Sequence, residues 1–267
     1  MRRPPQPVRL VALDLDGTTL NQDHDLNPAT IEAIRAVSAR GVRVVLVSGR
    51  LPHSILPFAR RLGLGGIHIG LNGGVSFDLN GTPRHKHLLD QTQLRLAYDV
   101  FRSEGLDPLV FATSGLWVPG TTAEVKFLVD AGEPEPRHYD TETLGTIEDP
   151  AKVVAVLPAG PRDRVLAARV EPRLHAVRSG PIFFEFMPPG VTKGAALREY
   201  VADLGLTKEE VMAIGDSEND ASLLEAAGFS VAMGNAVDEL KERAHAVTET
   251  NHKDGVAVAL ERWVLRQ

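Results

Sequence analysis

The segment at residues 10–20 constrains the fold most, because an apolar run ends abruptly in two carboxylates one residue apart. It reads Leu-Val-Ala-Leu-Asp-Leu-Asp-Gly-Thr-Thr-Leu. A continuous apolar run is typical of a buried strand in a parallel sheet, and ligands of open α/β sheets bind beyond the carboxyl ends of such strands. We therefore expect Asp14 and Asp16 at a sheet edge, where neighbouring acids need a cation or a proton to offset their repulsion. An Asx-type turn leaving the strand is the alternative.

Composition restricts the class of protein. The chain has 267 residues, of which 43% are hydrophobic and 24% charged, as in ordinary globular proteins of one large or two moderate domains. A net charge of −6 argues against a general nucleic-acid-binding protein. The absence of cysteine excludes disulfides, thiolate catalysis and cysteine-ligated zinc. Neither a signal-type segment nor a membrane span is evident, so we expect a cytoplasmic protein with no membrane partner.

The first and last parts of the chain alternate between strand-like and helix-like segments. Apolar runs at 8–13, 42–47 and 67–71 are separated by helical patterns, the first of which begins at Asn27-Pro28 with a capping residue and a proline. A helix at 193–204 and strands at 211–214, 229–233 and 246–248 repeat this alternation. Strand, helix and strand in succession predict right-handed crossovers and a parallel sheet.

The middle of the chain has a different pattern. Asn80-Gly81 is a strong hairpin signal, and short strand-like runs and one helical stretch follow it without regular alternation. This pattern predicts an α+β domain inserted into the α/β domain. We divide the chain into a first core segment at 1–84, an insertion at 85–183 and a second core segment at 184–267.

Polar side chains follow four of the predicted core strands. Because the carboxyl ends of parallel strands meet at one edge of a sheet, we expect these side chains to converge. Three or four carboxylates in one pocket require a hard cation, and Mg²⁺ suits them best, held by one or two carboxylates, waters and a substrate phosphate. The converging residues are Asp14, Asp16, Ser48, Asn72, Asp216, Asn219 and Asp220.

Lys193 follows Gly190-Val191-Thr192 at the start of a predicted helix. A cation at a helix N-terminus gains nothing from the helix dipole, which favours a role toward a ligand. An ordinary solvated lysine is the alternative that this pattern alone leaves open.

Taken together, the motifs resemble those of haloacid dehalogenase superfamily phosphatases of the Cof-type branch. They occur in that family's order and cover nearly the whole predicted core, whereas the insertion matches that family's cap domain only in size and position. The matching motifs are Asp14-Leu15-Asp16-Gly17-Thr18, Ser48-Gly49-Arg50, Asn72-Gly73-Gly74, Gly190-Val191-Thr192-Lys193-Gly194, Gly215-Asp216-Ser217-Glu218-Asn219-Asp220 and Gly234-Asn235-Ala236.

The resemblance implies four catalytic roles. Asp14 would be the nucleophile and a magnesium ligand. Asp16 would bind the metal through its backbone carbonyl, while its side chain acts first as general acid and then as general base. Ser48, where the family more often has threonine, would donate to the phosphoryl oxygens. Lys193 would neutralise charge between nucleophile and phosphate.

The resemblance also implies supporting roles. Asp216 would be the remaining protein ligand to the metal. Asn219 and Asp220 would orient Asp216 or the phosphate without binding the metal themselves. Substrate contacts would come from Ser48 and Lys193 together with Gly49, Arg50, Asn72 and Asn219.

The implied function is a magnesium-dependent phosphatase that hydrolyses a small phosphorylated metabolite, such as a sugar phosphate or a phosphorylated cofactor, through an aspartyl-phosphate. One alternative is a phosphotransferase of the phosphomannomutase kind, and another is a catalytically silent metal- or ligand-binding regulator.

Charged residues outside these motifs receive structural interpretations. His85 and His87 alternate on a predicted strand and are expected on a solvated face. Glu185 lies on the strand that re-enters the core, and we interpret it as a surface residue, with a position against substrate as the alternative.

Overall fold

The computed structural model describes residues 3–266. The strands, in chain order, are β1 (Leu10–Leu13), β2 (Arg43–Leu46), β3 (His68–Gly70), β4 (Val75–Phe77), β5 (Pro83–Lys86), β6 (Leu109–Ala112), β7 (Gly115–Val118), β8 (Arg137–His138), β9 (Pro150–Val156), β10 (His175–Ser179), β11 (Phe183–Met187), β12 (Val211–Gly215), β13 (Phe229–Ala232) and β14 (Ala246–Val247). The α-helices are α1 (Pro28–Ala39), α2 (Pro52–Leu62), α3 (Gln91–Ser103), α4 (Ala123–Asp130), α5 (Arg162–Val170), α6 (Lys193–Asp203), α7 (Ala221–Glu225), α8 (Asp238–Arg243) and α9 (Gly255–Leu260).

The core is a parallel sheet in the order β14-β13-β12-β1-β2. Its central strand, β1, is fully buried, as its unbroken apolar sequence predicts for a strand covered on both faces. Helices connect the parallel strands, so the predicted α/β class is confirmed. No helix among residues 3–266 is long and apolar enough to cross a membrane.

The third predicted parallel strand behaves differently from the prediction. β3 runs parallel to the end of the β2 segment at one bridge, between Val47 and Ile69, as predicted. It otherwise pairs antiparallel with β4 in a three-stranded sheet with β5. The chain reverses directly after β3, where Leu71, Asn72 and Gly73 all adopt positive φ. This reversal turns the strand toward its own neighbour in sequence.

A second sheet, in the order β10-β11-β9-β6-β7-β8, forms the insertion. It is antiparallel except for the β7–β8 pair. One face packs against α3 and α5, where Phe101 stacks on Phe186 with ring centroids 4.3 Å apart. The other face is turned toward the core sheet. We call this unit the cap and its sheet the cap sheet.

The predicted division of the chain places residues 184–187 in the core. These residues belong to β11, which pairs with β9 and β10 inside the cap sheet. We propose that the cap extends to Met187. Its start at residue 85 stays a prediction, and residues 1, 2 and 267 of the predicted core segments lie outside the described residues.

Candidate active site

Strand pairing brings the two carboxylate motifs together. Leu13 of β1 is in register with Ile214 of β12, and the Asp14 amide donates to the Ile214 carbonyl at 3.1 Å. The turns that follow the two strands therefore lie side by side. Gly17 makes this contact possible: its φ is +77°, and a Cβ there would lie 2.4 Å from Asp216 Oδ2. Any side chain at position 17 would displace the Asp216 carboxylate.

Lys193 lies between two of the carboxylates and is only 2% exposed. Its Nζ donates to Asp14 Oδ1 and to Asp220 Oδ1, both at 2.7 Å. Burial acts to lower the pKa of Lys193, but these two carboxylates outweigh it and raise the pKa above its ordinary value. The interpretation of Lys193 as a solvated lysine is therefore wrong, and the residue is a fixed positive charge.

Three carboxylates surround this single ammonium group. Ligand atoms of Asp14, Asp216 and Asp220 all lie within 4.8 Å of one another. Burial, followed by repulsion from Asp220, raises the pKa of Asp14 well above its ordinary value despite Lys193. The same two causes raise the pKa of Asp216 to about 6. The group carries more negative than positive charge, and a cation would relieve that excess.

The three carboxylates differ in how many hydrogen bonds they accept. Asp220 Oδ2 accepts from the amides of Asp216 and Ser217 at 3.0 and 3.1 Å, while its Oδ1 is taken by Lys193. Among the described residues, the Asp14 carboxylate accepts from Lys193 alone, at one oxygen. Asp216 accepts one hydrogen bond at each oxygen, from Thr18 Oγ1 at 2.8 Å and from Ser217 Oγ at 3.2 Å. Asp14 therefore keeps the greatest capacity for a metal ion, followed by Asp216, and an all-oxygen donor set fits a hard cation such as Mg²⁺.

Asp16 lies beside this group but forms a separate ion pair. Arg50 donates from Nε to Asp16 Oδ2 at 2.7 Å and from Nη2 to Oδ1 at 2.5 Å. His24 Nδ1 is 3.3 Å from the same carboxylate. Partial burial acts to raise the pKa of Asp16, but the hydrogen bonds from Arg50 and His24 outweigh it and hold that pKa well below its usual range. In this arrangement Asp16 is an anion.

Arg50 also reaches the cap. Its Nη1 donates to the Ala131 carbonyl at 2.5 Å. Glu133, two residues further along, accepts from the Leu51 amide at 3.3 Å and from Ser54 Oγ at 2.8 Å. The N-terminus of α2 and the segment after α4 are thus joined beside Asp16.

Ser48, Asn72 and Asn219 complete the predicted set. Ser48 is 1% exposed, and its Oγ accepts from the Arg50 amide at 3.2 Å. Asn219 Nδ2 donates to Asn72 Oδ1 at 3.1 Å. Asn219 Oδ1 is buried and has no hydrogen-bond partner within residues 3–266, so it is free to accept from a bound molecule.

A cavity of about 300 Å³ separates the core from the cap sheet. Of the predicted site residues, Asn72, Asp216 and Asp220 are not part of its lining. Those that line it are Asp14, Asp16, Ser48, Gly49, Arg50, Lys193 and Asn219.

Two charged residues of the cap sheet also line the cavity. Glu185 is 2% exposed, so its interpretation as a surface residue is wrong. It pairs with Lys152, whose Nζ lies 3.1 and 3.0 Å from the two carboxylate oxygens. A sequence signal for both existed, because each is the one charged residue in an otherwise apolar strand, Pro-Ala-Lys-Val-Val-Ala-Val and Phe-Phe-Glu-Phe-Met. Such an isolated charge indicates a buried, paired group.

Sequence comparison agrees with this fold, in which an inserted cap covers acidic turns at the ends of parallel strands. The model of a family described as haloacid dehalogenase-like hydrolase matches residues 11–260, and the chain belongs to that family. The resemblance inferred from the motifs is therefore confirmed.

Individual relatives are phosphatases. The chain is 31% identical to 5-amino-6-(5-phospho-D-ribitylamino)uracil phosphatase YcsE of Bacillus subtilis, over 97% of this chain and 96% of that protein. It is 32% identical to the phosphoglycolate phosphatase of Methanoculleus marisnigri, over 96% and 97% of the two chains. A crystal structure of a haloacid dehalogenase-like hydrolase from Bacteroides thetaiotaomicron matches with a TM-score of 0.83 at 31% identity, covering 96% of this chain and 99% of that one. The protein is a phosphoric monoester hydrolase.

Proposed function

We propose that this hydrolase is a magnesium-dependent phosphatase of a small phosphorylated metabolite, with Asp14 as its nucleophile. The observation that carries the proposal is the excess of carboxylates around Lys193, next to a cavity large enough for a small molecule. Asp14 and Asp216, with the backbone carbonyl of Asp16, would hold the metal, and Asp220 and Asn219 would support them. When bound, Mg²⁺ neutralises charge on the phosphoryl group and helps to orient it.

In the first step an Asp14 carboxylate oxygen attacks phosphorus in line with the leaving oxygen. A bond from Asp14 to phosphorus forms, and the bond from phosphorus to the leaving oxygen breaks. Lys193, already 2.7 Å from Asp14, offsets the charge that otherwise repels the attacking anion from the phosphate. Ser48 donates from its hydroxyl to a phosphoryl oxygen. The product is an aspartyl-phosphate.

Asp16 supplies the proton that the leaving oxygen takes up. A carboxyl group must be protonated to do this, and the ion pair with Arg50 opposes protonation. We therefore infer that Asp16 leaves Arg50 and takes up a proton from solvent before the first step. In the second step Asp16, now ionised, takes a proton from the water that attacks phosphorus, and inorganic phosphate is released with Asp14 restored.

The relatives support a small substrate without identifying it. One is named for a phosphorylated ribitylaminouracil and another for phosphoglycolate, and these compounds differ greatly in size. The proposal therefore extends to small phosphomonoesters, including sugar phosphates and phosphorylated cofactors.

A phosphate-release screen with Mg²⁺ tests the proposal. Wild-type protein and Asp14→Asn are compared over a panel of metabolite phosphomonoesters and phenyl phosphate, with Asp238→Asn, at an exposed position, as the matched control. We expect release by the wild type and the control but not by Asp14→Asn. Phosphate transfer to a sugar hydroxyl without release would instead indicate a phosphotransferase, and no turnover of any ester would indicate a silent regulator.

A further inference from the structure

We propose that Lys152 and Glu185 form a recognition site for the leaving group, and that this group carries a flat nitrogen heterocycle with a hydrogen-bond donor beside an acceptor. The inference rests on the proposed phosphatase function and deepens it. It assigns specificity to two residues of the cap sheet that take no part in the chemical steps.

The position of the pair on the sheet is the first argument. Side chains of a strand alternate between its two faces. Val153 and Phe186 lie in the hydrophobic cluster with α3 and α5, whereas Lys152 and Glu185 line the cavity. Both charges thus occupy the face that a bound substrate would meet.

Stability gives no reason for the pair. Replacing a buried ion pair by apolar residues of similar volume is often neutral or stabilising, because desolvation of both charges offsets their attraction. Lys152 and Glu185 are only 3% and 2% exposed, so the full desolvation cost applies. A role toward a ligand accounts for charges in a place where the fold does not need them.

The pair retains hydrogen-bonding capacity. An ammonium group has three donors and a carboxylate has about four acceptor positions. Within the described chain, Lys152 donates to Glu185 alone, and Glu185 accepts from Lys152 and from Asn72 Nδ2 at 2.8 Å. A neighbouring carbonyl and N–H of a ligand would fit the remaining donor of Lys152 and the remaining acceptor of Glu185.

The surroundings of the pair favour a flat ring. Phe111 lies directly opposite Lys152 on the adjacent strand, and the Lys152 ammonium lies over one part of its ring in a cation–π contact, with Nζ 4.6 Å from the centroid. Aromatic and aliphatic walls bind planar rings by burying their faces, while a polyol would leave hydroxyls unpaired against them. Other apolar residues that line the cavity include Phe127, Leu128, Val154, Pro181, Ile182 and Phe183.

The site also depends on the core. Asn72 donates to Glu185 and accepts from Asn219, so a chain of amides joins the recognition pair to the turn that carries Asp216. The distance between ring and phosphate is thereby fixed when the cap sheet and the core are together.

The test compares uridine 5′-monophosphate, 3-methyluridine 5′-monophosphate and ribose 5-phosphate as substrates. The readout is the ratio of kcat/KM for uridine monophosphate to that for each of the other two. The variant is Lys152→Met/Glu185→Gln, which removes both charges together. The matched control is Lys86→Met/Asp149→Asn, which removes an exposed ion pair of 2.6 Å outside the cavity.

We expect the wild type to prefer uridine monophosphate about 10- to 100-fold, the range for one hydrogen bond to a charged group. Methylation of the ring N–H should cost a similar factor, and the double variant should lose the preference mainly through a higher KM. The exposed-pair control should keep the wild-type ratio. The methylated substrate tests the wild-type protein directly, so the result does not depend on the folding of the variant.

Equal turnover of all three esters by the wild type would overturn the inference, as would a double variant that keeps the ratio. In either case continued release of phosphate from phenyl phosphate would leave the proposed function intact. Loss of release from every ester, phenyl phosphate included, would mean that the proposed function itself had failed.

Discussion

The core and the cap sheet each bury a lysine among carboxylates, but the two groups differ in charge balance. In the core, three carboxylates surround Lys193. In the cap sheet, Lys152 donates hydrogen bonds to Glu185 alone within the described residues. A balanced pair can remain buried without any other ion, whereas an excess of carboxylates raises their own pKa values and requires a cation. The imbalance therefore marks the place where metal-assisted chemistry is to be expected.

The two groups also arise from different local structures. The core group sits on turns after parallel strands, where Gly17 allows the backbone to approach Asp216. The cap pair lies in the middle of antiparallel strands, on side chains fixed by strand register. Turns can move with bound ligands, while a sheet face holds a fixed pattern of contacts.

The largest expected effect is a loss of activity, and it should follow from a change in the core carboxylates. Asp14→Asn should reduce phosphate release by at least about 10³-fold, because it removes the proposed nucleophile. Lys193 keeps Asp220 as its partner, so the melting temperature should stay near that of the wild type. Phosphate release and thermal unfolding measure the two quantities. Normal turnover with Mg²⁺ would contradict the role of Asp14.

The next effect concerns the stability of the cap pair. Lys152→Met alone should cost about 3–5 kcal/mol, because it leaves Glu185 buried without its partner. Lys152→Met/Glu185→Gln should recover most of this loss. Lys86→Met, in an exposed ion pair, should cost less than about 1 kcal/mol. Urea unfolding gives the three values, and equal losses from the single and double variants would show that charge balance does not govern the cap pair.

Added Mg²⁺ should stabilise the protein through the carboxylates around Lys193 and not through the cap pair. At a Mg²⁺ concentration of about 100 times Kd, we expect the free energy of unfolding to rise by about 2.7 kcal/mol. Asp216→Asn should remove most of this gain, and the cap double variant should keep it. Chelation should stop turnover in parallel. A metal effect that survives in Asp216→Asn would place the cation elsewhere.

The smallest expected effect is the pH dependence of stability that comes from His68. This histidine is buried, and its ring accepts a hydrogen bond from the Leu46 amide at 3.2 Å. Burial lowers its pKa to about 4, while an unfolded histidine titrates near 6.5. The unfolded chain therefore binds the proton first, and stability falls as the pH drops from about 6.5 to 4. The loss should reach about 2 kcal/mol at pH 5. The difference between wild type and His68→Gln, followed by urea unfolding from pH 7 to pH 5, should change by that amount; a constant difference would contradict it.

Much of the core was predictable because its signals are local. The apolar run before Asp14 and the polar turn at Asp216 each report a strand end, and parallel pairing is enough to bring them together. The partner of a strand is not a local property. The antiparallel pairing of β3 with β4 was therefore missed.

Side-chain partners were the least predictable part of the site. Lys152 and Glu185 are 33 residues apart, and their pairing depends on a strand order that the sequence pattern does not specify. The ion pair between Asp16 and Arg50 was missed for the same reason, since each residue was assigned separately toward substrate.

Acid quench of the reaction tests the central role of Asp14 most directly. Wild-type protein is mixed with substrate and Mg²⁺, quenched within the first turnover and digested for mass spectrometry. We predict that the peptide carrying Asp14 gains the mass of one phosphoryl group on that residue, and that the same peptide of Asp14→Asn gains none. Phosphate released with no phosphorylated Asp14 at any quench time, or phosphorylation at another residue, would contradict the account.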